Sequence, residues 1–120
     1  MITFTLPLPP RVLSANARPG HWGSRYRAND KYRDLAFVMG LHALGGRSRP
    51  RWKAARQQSV FYFATSRHRD GDNLLGMLKP VWDGLQKAGI LQNDSGLIHM
   101  PVRSALDKAN PRVEITVEPV

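Results

Sequence analysis

Apolar and polar residues alternate near both ends of this chain. Residues 2–6 read Ile-Thr-Phe-Thr-Leu, and residues 112–118 read Arg-Val-Glu-Ile-Thr-Val-Glu. A period of two places every second side chain on one face, so both segments are predicted to be half-buried strands, the second one at the edge of the core. Residues 60–63, Val-Phe-Tyr-Phe, are typical of a buried strand, and residues 97–102 are a weaker strand candidate interrupted by Pro101.

The strongest helical pattern covers residues 72–88. Apolar residues recur there at spacings of three and four, which forms one stripe along a helix, and Gly89 stands where a glycine commonly ends one. Pro80 interrupts the pattern because its ring removes a backbone hydrogen bond. Either the helix kinks there, or a short turn over 73–77 precedes a main helix that begins near Lys79. The stripe consists of Leu74, Leu78, Val81, Leu85 and Ala88, widened by Leu75 and Trp82.

A second helix is predicted over roughly residues 30–44. Asn29 or Asp30 is a suitable N-cap, and the glycine pair at 45–46 ends the pattern. The preceding residues 11–29 show no periodicity and are predicted to form a loop. The side chains expected to face the core are Leu35, Val38 and Leu41 or His42.

Together these elements predict an α+β fold in a single domain over residues 1–120, with a small mixed sheet covered on one face by the two helices. Apolar residues make up 42% of the chain, which is enough for a core.

No apolar run approaches the ~20 residues of a membrane span, and the first residues lack the pattern of a secretory signal. A cytoplasmic protein is therefore expected. Zero cysteines exclude disulfides, thiolate zinc sites and cysteine nucleophiles.

The charge predicts a polyanionic partner. Eighteen basic and nine acidic residues give a net charge of +9, which favours nucleic acid. The charge is uneven, because residues 1–69 carry +11, residues 70–94 carry −2 and residues 95–120 are neutral. Carboxylates repel phosphates, and one reason to hold an acidic cluster near DNA is to place a divalent cation between the carboxylates and the phosphate backbone.

Three aspartates and a lysine flank the 72–88 helix. Asp70 and Asp72 precede it, and Asp94 follows it. Two carboxylates at this spacing are able to converge on Mg²⁺ or Mn²⁺, with Asp94 as the third ligand. Lys79 would then contact the scissile phosphate or orient a water molecule. This layout suits metal-assisted hydrolysis of a phosphodiester.

Each of these residues also has a structural explanation. Asp70-Gly71 is a common turn, Asp72 is a good N-cap, and Lys79 with Asp83 forms a standard i, i+4 surface pair. The catalytic interpretation is favoured because these acids occur together, on either side of one helix, in a strongly cationic chain.

The same residues carry a resemblance to a known family. The strings at 69–74 (Arg-Asp-Gly-Asp-Asn-Leu), 79–85 (Lys-Pro-Val-Trp-Asp-Gly-Leu) and 87–91 (Lys-Ala-Gly-Ile-Leu), followed by Asn93-Asp94, resemble the RusA family of Holliday junction resolvases. The start of the chain is similar too: Leu6-Pro7-Leu8-Pro9-Pro10 with Asn16 and His21-Trp22.

The resemblance implies a homodimeric, Mg²⁺-dependent endonuclease, encoded by bacteria, phages or prophages, that cuts four-way DNA in recombination and repair; Mn²⁺ would substitute for Mg²⁺. It implies that Asp70, Asp72 and Asp94 are catalytic metal ligands and that Lys79 is the catalytic lysine. Two departures stand out. About one extra helical turn separates Asn73 from Lys79, and the usual acid pair after the helix is Asn93-Asp94.

DNA phosphates are expected to lie against the basic segments 11–33 and 47–69, and the predicted contact residues are Asn16, Arg18, His21, Arg25, Arg67 and Arg69. Paired cuts require two active sites, which favours a C2 dimer. No small-molecule cofactor and no membrane partner are expected.

Two alternatives remain open: a non-enzymatic basic DNA-binding or architectural phage protein, and a general metal-dependent nuclease that ignores branching.

Overall fold

The computed structural model describes residues 1–15 and 22–120. Its strands are β1 (Ile2–Leu6), β2 (Ala55–Phe63), β3 (Leu97–His99), β4 (Arg103–Leu106) and β5 (Arg112–Pro119). They form one mixed sheet in which β5 lies between β1 and β2, antiparallel to both. The short strands β3 and β4 follow one another along the other edge of β2 and run parallel to it.

The helices are α1 (Trp22–Leu44), α2 (Gly71–Met77) and α3 (Lys79–Lys87). α1 packs against both α3 and β1, and the inward-facing residues of the strands are buried beneath the helices. The α+β prediction, with a mixed sheet and the two predicted helical segments, is confirmed. Within the described residues, no helix is long and apolar enough to cross a membrane.

The strand predictions at both ends of the chain are confirmed, with two differences in the sheet. β5 is an interior strand and not an edge strand, because β1 and β2 pair with its two sides. β2 begins five residues earlier than its apolar run, since the inward-facing positions Gln57 and Ser59 are polar. Pro101 separates β3 from β4, and all four residues of β4 are exposed, which explains why their sequence shows no alternation.

The prediction for the first helix is wrong at its start and in part of its buried face, although the predicted Leu35 and Leu41 do pack, partly buried, against the core. α1 begins at Trp22 within the predicted loop, so neither Asn29 nor Asp30 caps it. Val38 is 56% exposed, and His42 is also exposed. The core face instead repeats every four residues and contains small side chains, which let another helix approach closely. Its buried residues are Tyr32, Ala36, Gly40 and Leu44.

Pro80 divides the second helical segment in two, as one of the two alternatives predicted. Leu78 joins α2 to α3 with φ −88° and ψ 0°, and Pro80 lies in the first turn of α3, where a missing N–H is tolerated. Gly89 has φ +74°, as expected for a glycine that ends a helix. The predicted apolar stripe is buried at all five of its positions: Leu74, Leu78, Val81, Leu85 and Ala88.

Gly84 lies where α3 closely approaches the backbone of α1. A Cβ atom at this position would collide with the carbonyl oxygen of Arg33 and lie 3.0 Å from the Ala36 Cβ and 3.1 Å from the Phe37 amide nitrogen. Two of these neighbours are backbone atoms that side-chain rotation does not move. The crossing of the two helices therefore depends on a glycine here.

We expect Gly84→Ala to lower the free energy of unfolding by about 1–3 kcal/mol, because the helices must separate to admit a methyl group. Urea denaturation measures the change. Gly76→Ala in α2 is the matched control, since nothing lies within 4 Å of its Cβ position and the substitution should stabilise by about 0.4–1 kcal/mol. Equal stability of the Gly84→Ala and wild-type proteins would contradict this packing.

Candidate functional site

The segment after β2 turns into α2 through Asp70. Asp70 has an extended backbone (φ −73°, ψ 118°), and its carboxylate accepts a hydrogen bond from the Asp72 amide at 3.0 Å. Asp70, and not Asp72, is therefore the N-cap. Both aspartates are exposed, and no described residue donates a hydrogen bond to the Asp72 carboxylate. The turn thus presents two adjacent carboxylates to solvent, the donor type that hard divalent cations prefer.

Asn73 ties this turn to the start of the chain. Its Oδ1 accepts from the Ala15 amide at 3.0 Å, and its Nδ2 donates to Ser14 Oγ at 3.1 Å. Arg25 of α1 donates to the carbonyl oxygens of Leu13 and Ser14, both at 3.3 Å. These bonds hold residues 13–15 beside the Asp70–Asp72 turn. Three of the predicted DNA contacts, Asn16, Arg18 and His21, lie outside the described residues.

The arginines before the turn differ in how they are held. The Arg69 guanidinium lies 3.6 Å from the centroid of the Phe63 ring and donates to the carbonyl oxygens of Thr65 and Arg67. Desolvation and the neighbouring Arg67 lower the pKa of Arg69. Arg67 is exposed. Arg69 therefore braces the end of β2, as Arg25 braces residues 13 and 14, while Arg67 points its charge to solvent.

Lys79 is the first residue of α3 and is exposed, directly before the buried Pro80. The alternative interpretation of Lys79 and Asp83 as a surface ion pair is wrong, because the ion pairs of the described residues involve neither side chain. The break at Leu78 gives Lys79 a new helix axis. Its ammonium group is thus available to an external anion.

Asp94 lies at the other end of β2. It opens a 3₁₀ turn, Asp94–Gly96, and its amide donates to Gln86 Oε1 at 3.2 Å. The turn leads into Leu97, which pairs with Ala55, the first residue of β2. Asp70 instead follows Phe63, the last residue of β2. The nine residues of β2 span eight steps of about 3.3 Å, which separates its two ends by roughly 26 Å.

The structure therefore brings Asp70 and Asp72 together but leaves Asp94 apart from them. In the part of the chain that is described, no three histidine, aspartate or glutamate side chains are placed to hold one metal ion. Sequence spacing suggested convergence because both aspartate groups flank one helical segment. The spacing did not reveal that this segment carries the chain from one end of β2 to the other.

Unpaired cations surround the Asp94 end. Arg51 and Trp52 donate backbone hydrogen bonds to Gly89 and Ile90 at 2.8 and 2.9 Å, which attaches the 49–53 segment to the chain just before Asp94. Arg51 has φ +47°, the sole positive φ among the described non-glycine residues. No described carboxylate pairs with the exposed cations of this basic segment, which are Arg49, Arg51 and Lys53. In contrast, Arg56 forms an ion pair with Glu118 at 2.7 Å.

Comparisons with known proteins show which family this chain belongs to. The family model of endodeoxyribonuclease RusA matches residues 8–118. An uncharacterized protein of Xylella fastidiosa strain Temecula1 is 38% identical over 89 residues, which cover 73% of this chain and 58% of that protein. The matched part thus spans somewhat more than half the length of that relative. Because the family match covers nearly all of the chain, including the three aspartates and Lys79, this protein belongs to the RusA endodeoxyribonuclease family.

Proposed function

We propose that this protein is a Mg²⁺-dependent endonuclease that resolves four-way DNA junctions by paired phosphodiester hydrolysis in recombination and repair. The observation that carries the proposal is the exposed Asp70–Asp72 pair, fixed at the start of α2 in a chain of net charge +9. Membership of an endodeoxyribonuclease family supports it. We further propose a cytoplasmic homodimer.

The carboxylates suit the proposed cation. One oxygen of Asp70 is occupied by the Asp72 amide, which leaves its second oxygen and both oxygens of Asp72 as hard ligands. Asp70 and Asp72 would hold Mg²⁺ or Mn²⁺, and Asp94 would complete the set. The chemistry supplied by such a cation is neutralisation of phosphate charge and acidification of water.

The basic residues around the carboxylates would bind and orient the DNA. The exposed ammonium group of Lys79 would attract a non-bridging oxygen of the scissile phosphate. This contact would reduce the negative charge on the phosphate that the attacking water approaches. Arg67 would contact a flanking phosphate. Asn73 would keep residues 13–15 next to this phosphate.

The placement of Asp94 supports a site shared between two subunits. Within one chain the two aspartate groups flank opposite ends of β2. In a two-fold dimer, one end of β2 in one protomer is able to lie beside the opposite end of β2 in the other. Asp94 of one protomer would then reach the Asp70–Asp72 turn of its partner. Such a dimer has two equivalent sites, as paired cuts require.

We expect Asp72→Asn to reduce junction cleavage by roughly 10³-fold, because a metal ligand supplies several kcal/mol of transition-state stabilisation. Binding to the junction should remain, since removal of a carboxylate also removes repulsion. A labelled four-way junction and a matched linear duplex, each with Mg²⁺, Mn²⁺ or EDTA, provide the measurement. Asp34→Asn on the exposed side of α1 should cut like the wild type.

The same assay separates the alternatives. A wild-type protein that never cuts the junction in either metal would refute the resolvase proposal, and tight binding without cutting would favour a basic DNA-binding protein. Equal cutting of the linear duplex would identify a nuclease without selectivity for branches.

Mixing two inactive variants tests the shared site. Asp72→Asn and Asp94→Asn, allowed to exchange subunits, should regain roughly a quarter of wild-type nicking, because half of the dimers are mixed and each has one intact site. A mixture as inactive as either variant alone would show that Asp94 acts within its own chain or not at all.

The basic segment 49–53 predicts a salt effect. In Arg51→Gly/Lys53→Gln, the slope of log affinity against log salt should become shallower by about two, since each lost phosphate contact contributes about 0.9. Glycine suits the positive φ of Arg51, so the fold should be kept. Arg56→Gln removes a cation already paired with Glu118 and should leave the slope nearly unchanged. Equal slopes for wild type and double variant would place the DNA elsewhere.

A further inference from the structure

Two polar side chains are buried on the helix-facing side of β2. Gln57 and Ser59 are both fully buried, between the equally buried apolar residues Ala55 and Phe61. An amide and a hydroxyl in such a place destabilise the fold unless they are hydrogen bonded. Ser59 Oγ donates to Gln57 Oε1 at 2.6 Å. This bond orients the amide so that its nitrogen points away from Ser59.

That nitrogen holds the imidazole of His99. Gln57 Nε2 lies 3.0 Å from His99 Nδ1. An amide nitrogen only donates, so Nδ1 accepts, and the proton of the neutral ring is on Nε2. From α3, the Trp82 ring packs against the imidazole with centroids 5.2 Å apart. The ring is therefore fixed by β2 on one side and by α3 on the other.

The outward nitrogen of His99 is available to a ligand. The residue is exposed, and no hydrogen-bond partner of Nε2 lies in the described portions of the chain. Burial lowers the pKa of His99 and the nearby Asp94 carboxylate raises it, with burial the larger effect. With the proton on Nε2, this nitrogen has no lone pair for a metal ion and acts as a donor.

The surroundings select an anionic ligand. His99 follows the Asp94–Gly96 turn, and Gly96 lies against the carbonyl group of Lys53, within the unpaired basic segment 49–53. An N–H donor that follows a turn packed on this basic segment suits a phosphate oxygen better than a neutral acceptor.

We propose that His99 is a DNA-contact residue whose Nε2–H donates a hydrogen bond to a phosphodiester oxygen close to Asp94. The inference rests on the proposed function, which brings a phosphate to this end of the sheet. Ser59 and Gln57 are positioning residues that keep the donor facing outward.

Two substitutions of His99 separate the donor from the rest of the ring. In His99→Gln the amide nitrogen takes a place near Nε2, so the contact to phosphate is kept. In His99→Asn the shorter amide reaches only the Nδ1 position, so the bond with Gln57 is kept and the outward donor is lost. Binding of a fluorescent four-way junction in EDTA should weaken about tenfold for His99→Asn and at most about threefold for His99→Gln. His42→Asn, at an exposed histidine of α1, should bind like the wild type.

All affinities are measured at a temperature well below the thermal unfolding midpoint of each variant, so that the binding signal comes from folded protein. The inference is overturned if His99→Asn binds like the wild type, or if His99→Gln loses as much affinity as His99→Asn. A wild type that binds but never cuts would overturn the nuclease proposal, and the His99 contact would still be decided by the two variants. A wild type that binds no DNA would overturn both.

Discussion

The parallel pairing of β2 with β3 is the constraint on which the arrangement of the candidate site depends. Parallel neighbours need a crossover connection, because a tight hairpin only joins antiparallel strands. The chain therefore leaves β2 at Phe63, passes through α2 and α3, and enters β3 beside Ala55. Residues that open this crossover therefore lie near the Phe63 end of β2, and residues that close it lie near the Ala55 end. Asp70 and Asp94 are separated for this reason alone.

The helix layer that makes the crossover depends in turn on how closely α1 and α3 pack. Gly84 lets α3 approach the backbone of α1, and the break at Leu78 lets α2 take its own direction toward the Asp70–Asp72 turn. The extra helical turn between Asn73 and Lys79 is thus accommodated without lengthening a single helix. Since α3 begins at Lys79 and Pro80 lies in its first turn, Lys79 stays exposed at the junction of the two helices.

The parts of the fold that have regular apolar spacing were predictable from the sequence. The strands at both ends, the buried stripe of 74–88 and the two-helix alternative at Pro80 all follow from such spacing. Part of the buried face of α1 was missed because its close contacts are made by the small residues Ala36 and Gly40, which leave no apolar pattern. The start of β2 was missed because Gln57 is buried through hydrogen bonds that no local pattern reveals.

The placement of the candidate site residues was predictable in part for the same physical reason. Exposed carboxylates at 70 and 72 follow from their place at a strand end, and the structure brings these two together. The distance of Asp94 follows from strand direction, which depends on pairing between residues far apart in sequence. His99 has no spacing that marks it as a ligand, and its importance emerges only from the side chains that hold it.

Net charge places a final constraint on the proposed dimer. Two chains of charge +9 would give +18, and this self-repulsion opposes association at low ionic strength. Added salt screens that repulsion and so favours the dimer. The same salt weakens the attraction between the basic segments and DNA phosphates and so opposes DNA binding. The two steps therefore respond to salt in opposite directions. Because a polyanion neutralises the cations of both subunits together, DNA binding itself would favour the dimer, and a complete set of three carboxylates would form mainly where the substrate is already bound.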